Sequence, residues 1–423
     1  MPGAAATLLL AGRFTFEKMP DQGTGPLLLS TLNLQLSTPL NILLASTSSG
    51  SRGGGELYLN YLGRSLAARG HEVALWASSH PRMDELCGLF GKIGTVLRQD
   101  YTNTYDRRLR SFASYFDRGA AKAASAMWRR HAPDIVHLNK QNLEDGLDLL
   151  RAAGDCGLPN LCTIHLTQSA KYLRARTPWL RDWVARRALR TYRGPMVAVI
   201  EERRRDLAKF LGTGDRTHAI PNGVELYDLS GRNAARDATR HELGIAHDSL
   251  LLVAVGRMVP QKRPIAFLEY AARILERLPH SRFVWVGDGR LAPEWDRWVA
   301  QRQLGNVIQR LPWRGNVRDV LFAADAFLHV AEFEGLPLAI LEALSAGLPC
   351  AISPNLLREM PFLDATNSVA IGEGGAWAEI LADPQALAMR GKAARRLAEE
   401  QFSFDIMASR YEALYQGALE RRT

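Results

Sequence analysis

Two glutamates, Glu334 and Glu342, frame the apolar stretch EFEGLPLAILEA (332–343), with seven residues between them. A carboxylate accepts hydrogen bonds well from the hydroxyls of a sugar or a ribose, so two of them around one segment suit a polyol ligand. The run LPLAILEALSAG reads as an almost all-round apolar helix, with Pro337 in its first turn and Gly347 closing it. Glu342 then sits in a mostly buried helix and needs a partner, because an unpaired buried carboxylate is expensive. A structural bond to a neighbouring arginine or backbone amide would meet that need as well as a ligand would. Glu334 precedes the helix, in the loop after the strand AFLHV, and ligands of open parallel sheets bind outside the carboxyl ends of the strands. The backbone N–H groups of Gly335, Leu336 and the residues after them point out of the helix start and suit an anionic group.

A second stretch of this kind, GRMVPQKRP, follows the strand LLVAVG and carries Arg257 and Lys262. An arginine fork and a mobile ammonium together suit a diphosphate, although a solvated basic loop has the same spelling. Upstream, SGSRGGGE opens a helix on glycines that include Gly54 and Gly55, which let a backbone approach phosphate closely and also serve tight turns. His137 in DIVHLN and His165 in NLCTIH end buried strands; a lone histidine there is more often packed than chemical.

These residues need a scaffold that brings strand ends together. From Asn41 the chain alternates strand and helix, beginning with ILLAS, the glycine loop, the helix ELYLNYLGRSLAARG closing on Gly70, and HEVALWA. The alternation pauses at the turn-rich AIPNGVE and restarts with LLVAVG, RFVWVGDG, AFLHV and PCAIS. This predicts an α/β fold of two doubly wound, Rossmann-like domains. The expected divisions are an irregular extension over 1–38, domains over 39–220 and 221–400, and a terminal helix over 401–423.

At 423 residues, two domains are the default. No apolar run reaches the ~20 residues of a membrane-spanning helix, and no basic segment precedes ATLLLAG, so neither a span nor a secretory leader is expected. The cysteines Cys87, Cys156, Cys162 and Cys350 show no metal-binding spacing, which predicts a reduced, cytoplasmic protein. The net charge of +9 suits anionic lipid or phosphorylated substrates. No helix-turn-helix, RNP or zinc-finger pattern accompanies it, so nucleic acid is not an expected partner.

Taken in order, GGGELYLNYLGRSLAARGHEV, PDIVH, TIH, IPNGVE, GRMVPQK, GDG and the E-x7-E element resemble the retaining nucleotide-sugar glycosyltransferases of family 4. The resemblance covers roughly residues 40 to 420. It implies the GT-B architecture, two domains facing across a cleft, the first on the acceptor side and the second binding the nucleotide sugar, with the terminal helix returning to the first. Arg257 and Lys262 then match the pair that holds the donor diphosphate, Glu342 the acid on the nucleotide ribose, and Glu334 the acid near the transferred sugar. Gly54, Gly55, Gly335 and Leu336 match backbone around the donor, and His165 the histidine near the reacting sugar. His165, Glu334, Arg257 and Lys262 are thus the implied catalytic set. Two departures stand out: Arg263 and Pro264 replace the family's glycine after the lysine, and the acid motif reads EGLPLAILE rather than EGFGLP. No DxD motif stands at a matching loop, so neither a metal nor a cofactor beyond the donor is implied.

The resulting expectation is a retaining, metal-independent glycosyltransferase acting on a glycan, lipid-linked or small-molecule hydroxyl. A GT-B epimerase, a phosphorylase, and a non-enzymatic basic protein of membrane or nucleic acid remain as rivals. TPWLRDWVARRALRTYR (177–193) bears on the acceptor: a Thr177 cap, an apolar face of Trp179, Leu180, Trp183, Val184, Ala188, Leu189 and Tyr192, and an opposite face with Arg181, Arg186, Arg187, Arg190 and Arg193. Such a helix could lie on the anionic inner face of a cell membrane, or simply pack its apolar face inward.

Overall fold

The protein, as a computed structural model, is described over residues 38–421. The extension expected over 1–38 lies outside these residues except for its last position. Short apolar strands buried on both faces, separated by helices, produce two parallel sheets. The first comprises β1 (Asn41–Ser46), β2 (Glu72–Ser78), β3 (Thr95–Gln99), β4 (Ile135–Asn142), β5 (Asn160–Leu166), β6 (Met196–Ala198) and β7 (Thr217–Ala219). Their order is β3-β2-β1-β4-β5-β6-β7. The second comprises β8 (Leu251–Val255), β9 (Arg282–Val286), β10 (Ile308–Leu311), β11 (Ala326–His329), β12 (Cys350–Ile352) and β13 (Ser368–Ala370), in the order β10-β9-β8-β11-β12-β13. The winding reverses between β1 and β4 in one sheet and between β8 and β11 in the other, which are the switch points where such sheets open a crevice.

The chain passes between the sheets through Ile220 and Val224, both buried, and Val224 N–H donates to the carbonyl of Phe402 at 2.8 Å. That bond anchors the start of the helix Phe404–Glu420, which Ser403 caps through Ile406 N–H. The helix packs Met407, Tyr411 and Tyr415 into the core with Leu44 and Val197 of the first sheet and Tyr58 of the helix Gly54–Ala68. Buried Glu412 clamps it by accepting two 2.7 Å bonds from Arg69 and one of 2.9 Å from His71.

The helix Pro178–Thr191 departs from the expected pattern in two ways. Thr177 occupies the cap position, yet its hydroxyl donates to the carbonyl of Arg176 and caps nothing. Val184, Ala185, Ala188 and Leu189 form the buried face, whereas Trp179 and Trp183 are 73% and 53% exposed. The arginines are partly committed: Arg181 grips Glu144, Arg186 and Arg190 donate to the carbonyls of Phe210 and Leu211, and Arg187 reaches the hydroxyl of Tyr115.

Candidate active site

Loops leaving the carboxyl ends of β1, β4 and β5 meet those leaving β8 and β11. On the first sheet, Gly53 precedes the helix Gly54–Ala68. A Cβ at Gly55 would come within 2.2 Å of the Gln141 side chain, whereas one at Gly54 would only graze Leu338 Cγ at 3.9 Å. The glycine loop thus lies against the start of the helix Leu338–Ser345, across from the second sheet.

The acid loop reaches back to the first sheet. A Cβ at Gly335 would stand 2.1 Å from the carbonyl oxygen of His165, so only glycine permits this approach. Gln168 Nε2 donates to the carbonyl of Glu334 at 3.2 Å, and Asn222 Nδ2 to that of Leu336 at 2.9 Å. Three backbone contacts therefore fix the loop Glu334–Leu336 against the ends of β5 and β7.

Glu334 is buried and salt-bridged to Lys262, with Nζ–Oε1 at 2.5 Å, while His329 Nε2 stands 3.3 Å from the same oxygen. Burial alone would raise the carboxyl pKa, but the Lys262 charge and the His329 contact outweigh it and hold Glu334 at about 2. Glu342 has the opposite balance. It is buried in the apolar helix and accepts one hydrogen bond, from Tyr61 Oη of the first half at 2.7 Å. Burial raises its pKa from 4.5 to about 7, with the Tyr61 bond pulling the other way.

Arg257 follows β8 and is exposed; its side chain makes no hydrogen bond or ion pair among the described residues. Its charge nevertheless reaches Glu56 in the glycine-loop helix, where burial raises the carboxyl pKa and Arg257 opposes that rise.

His165 lies buried with its ring edge-on to Tyr58, the centroids 4.8 Å apart. Its Nε2 is 2.7 Å from Asn139 Oδ1, which fixes the Nε2–H tautomer, and Asn139 Nδ2 donates to the carbonyl of Gly55 at 2.9 Å. A hydrogen-bonded chain thus runs from β5 through β4 to the glycine loop. Burial lowers the His165 pKa to about 3, so the ring is neutral at physiological pH. His137 is packed instead, with Nδ1 2.8 Å from Tyr415 Oη and Nε2 2.7 Å from Thr163 Oγ1.

Gly54, Gly55, His165, Lys262, Glu334, Gly335, Leu336 and Glu342 therefore form one contiguous set, with Arg257 linked to it through Glu56. Reading by sequence missed Glu56, Tyr61, Asn139 and His329. Tyr61 carried a usable signal, since a phenol on a buried leucine face demands a hydrogen-bond partner. Asn139 and His329 become visible only when strand register and loop closure are known.

Residues 52–227 match the family described as Glycosyltransferase Family 4, and residues 235–359 match Glycosyl transferases group 1. The chain is 39% identical over 137 residues to the UDP-Gal:alpha-D-GlcNAc-diphosphoundecaprenol alpha-1,3-galactosyltransferase of Escherichia coli, covering 32% of this chain and 35% of that protein. It is 30% identical over 247 residues to a D-inositol 3-phosphate glycosyltransferase of Xylanimonas cellulosilytica, covering 54% of this chain and 58% of the relative. These matches span between about a third and three fifths of the curated relatives' lengths. The fold is similar to that of HepE of Anabaena in complex with UDP and glucose, with TM-score 0.71 and 19% identity over 89% of this chain and 100% of that one. It is also similar to sucrose-phosphate synthase of Thermosynechococcus elongatus, with TM-score 0.68 and 18% identity over 90% of this chain and 100% of that one.

Proposed function

This chain belongs to the GT-B glycosyltransferases of the family 4 type, and on that premise we propose that it moves a glycosyl group from a nucleoside diphosphate sugar to an acceptor hydroxyl, with retention at the anomeric carbon. The observation that carries this reading is the closure of the Glu334–Leu336 loop onto His165, which sets acids, cations and glycine loop around the switch points of both sheets. In the proposed division, residues 39–220 face the acceptor, 221–400 hold the donor, and the helix within 401–423 ties the second part to the first.

The bond from the anomeric carbon to the diphosphate oxygen breaks as the acceptor oxygen bonds to that carbon on the same face, and the acceptor proton passes to the departing phosphate. Negative charge develops on the diphosphate. Arg257 and Lys262, with the amides of Gly54, Gly55, Gly335 and Leu336, take up that charge without need of a metal. Glu342 accepts from the ribose hydroxyls and ionised Glu334 from the transferred sugar. Neutral His165 uses its remaining nitrogen toward that sugar's hydroxyls, because a ring with pKa of about 3 cannot serve as a general acid at neutral pH.

A nucleotide-sugar panel followed by mass spectrometry tests the reading. Loss of one donor with matching gain of glycosylated acceptor is expected. A donor isomerised without acceptor supports an epimerase instead, and a panel left intact with soluble and lipid-linked acceptors refutes the transfer.

For the acceptor we propose a lipid-linked molecule, reached from an anionic membrane surface. The Escherichia coli relative is named for a diphosphoundecaprenol acceptor. Among the described residues no helix is long and apolar enough to cross a membrane. A surface suited to peripheral contact is nonetheless built: Glu144 holds together the helices Arg110–Phe116 and Pro178–Thr191 by accepting from Ser111 and Arg181. Leu109 and Phe116, at the two ends of the first helix, are 63% and 57% exposed, and Trp179 and Trp183 stand exposed on the second. Arg108, Arg174 and Arg176 nearby are exposed and unpaired among the described residues. Tryptophans beside free arginines match the headgroup region of an anionic bilayer.

A further inference from the structure

The strands of the second sheet begin, at the end opposite Arg257 and Glu334, on a cavity of about 1010 Å³. Leu250 and Pro349, which lead into β8 and β12, form its floor, and the helices Arg232–Glu242 and Pro384–Gln401 form walls. Asp325 on the lining is already held by Arg236 and Arg240, and Glu399 by Arg395, while exposed Asp248 has no ion-pair partner among the described residues. Arg232, Arg277 and Lys392 also line the space, and none of them makes a side-chain hydrogen bond or ion pair among the described residues. Leu278, Leu381 and Leu387 supply an apolar side.

Cations without a salt-bridge partner and an apolar wall line one concave space large enough for a small molecule. We propose that this cavity is a second ligand site, separate from the donor cleft, for a phosphate-bearing small molecule with an apolar portion. Arginine and lysine hold the phosphate, and the leucines cover the rest. The length of β8 alone sets the site about 16 Å from Arg257.

The cavity also touches the active site through one helix. Arg395 donates at 2.5 Å to the carbonyl of Ser345, the last residue of Leu338–Ser345, and Gly347 just beyond lies on the cavity wall. A phosphate that draws Arg395 away from Ser345 acts on the far end of the helix that starts beside Glu334; this link rests on the donor reading above, whereas the site itself does not.

The test is calorimetric titration of phenyl phosphate and of inorganic phosphate into the full chain, its Lys262→Ala variant and an Arg232→Gln/Lys392→Gln variant. Saturable one-site binding of phenyl phosphate is expected, tighter than that of inorganic phosphate, unchanged in Lys262→Ala and about tenfold or more weaker in the double variant. Donor turnover of the double variant without added phosphate ester stays at the wild-type level. Absence of saturable binding overturns the proposal. So does binding that persists in Arg232→Gln/Lys392→Gln but disappears in Lys262→Ala, since that places the anion in the donor cleft. Equal affinity for the two probes removes the apolar portion from the proposal.

Discussion

The bond between Glu342 and Tyr61 makes nucleotide affinity depend on pH in a way that can be worked out in advance. Glu342 has its pKa raised from 4.5 to about 7, with burial the cause. The raised value means that keeping the carboxylate charged in the folded chain costs about 3 kcal/mol at high pH. The stability it contributes is full below 4.5 and is lost as pH rises through 7. Ribose binding as proposed needs the ionised form, because a protonated acid must give up one acceptor site to a proton. Ionisation rises between pH 6 and 8 by close to an order of magnitude, so affinity for the free nucleoside diphosphate should rise about tenfold over that interval. Glu342→Gln should flatten this component, and the difference between the two proteins cancels the ligand's own titration. Tyr61→Phe removes the donor that favours the charged form and should move the inflection up by about one pH unit. Calorimetric titrations at half-unit steps from pH 5.5 to 8.5 read all three. Coincident profiles for wild type and Glu342→Gln would refute the ribose assignment and leave the glutamate a partner of Tyr61 only.

Arg257→Ala and Lys262→Ala should each lower turnover about ten- to a hundredfold at saturating acceptor, the worth of one charged hydrogen bond to the leaving group. Lys262→Ala should in addition reduce stability at neutral pH. Glu334, held at about 2, contributes about 3 kcal/mol above pH 4.5 that is lost as pH falls through 2, and much of this depends on the lysine; urea unfolding at pH 7 and pH 3 reads the difference. Glu412→Ala should cost about 3 to 5 kcal/mol by urea unfolding, since it strands Arg69 and His71 against the terminal helix; a loss below one kcal/mol would show that the clamp carries little. Anionic vesicles should co-sediment the protein at low salt and release it at high salt. Trp179→Ala/Trp183→Ala and Arg174→Gln/Arg176→Gln should weaken that binding, whereas Arg186→Gln and Arg190→Gln should chiefly loosen their bonds to Phe210 and Leu211. Protein left in the supernatant with anionic lipid in excess would refute the membrane surface.

The alternation of short apolar runs with helical periods was legible because parallel strands buried on both faces cannot be spelled otherwise, and β1, β8 and β11 stand where those runs fall. The acid and basic loops were legible for a related reason, since polar residues immediately after a buried strand have only its carboxyl end to occupy. What was not legible was contact between the halves. Nothing in the spelling of Tyr61 places it opposite Glu342, 281 positions away, and nothing in Gly335 announces the carbonyl of His165. The helix Pro178–Thr191 divides its apolar face between core and solvent for a physical reason: a 3.6 period groups Trp179 and Trp183 with Val184 and Ala188, but the buried stripe is narrower than the apolar one. The excess width is the part left facing solvent.

Glu334 and Glu342 differ in how their burial is met. Glu334 has its countercharge inside the protein: Lys262 and His329 share one oxygen, and the carboxyl is driven far below its ordinary range. Glu342 has only a neutral phenol, and its carboxyl is driven above its ordinary range. Both are buried beside apolar residues, where fold stability alone would favour a hydrocarbon side chain at either place. The ion pair makes Glu334 and Lys262 one electrostatic unit, which in the proposed reading meets a sugar hydroxyl and a phosphate. No protein cation answers for Glu342 among the described residues. In the proposed reading its remaining acceptor capacity serves the ribose, since a vicinal diol satisfies a buried carboxylate without bringing a charge of its own.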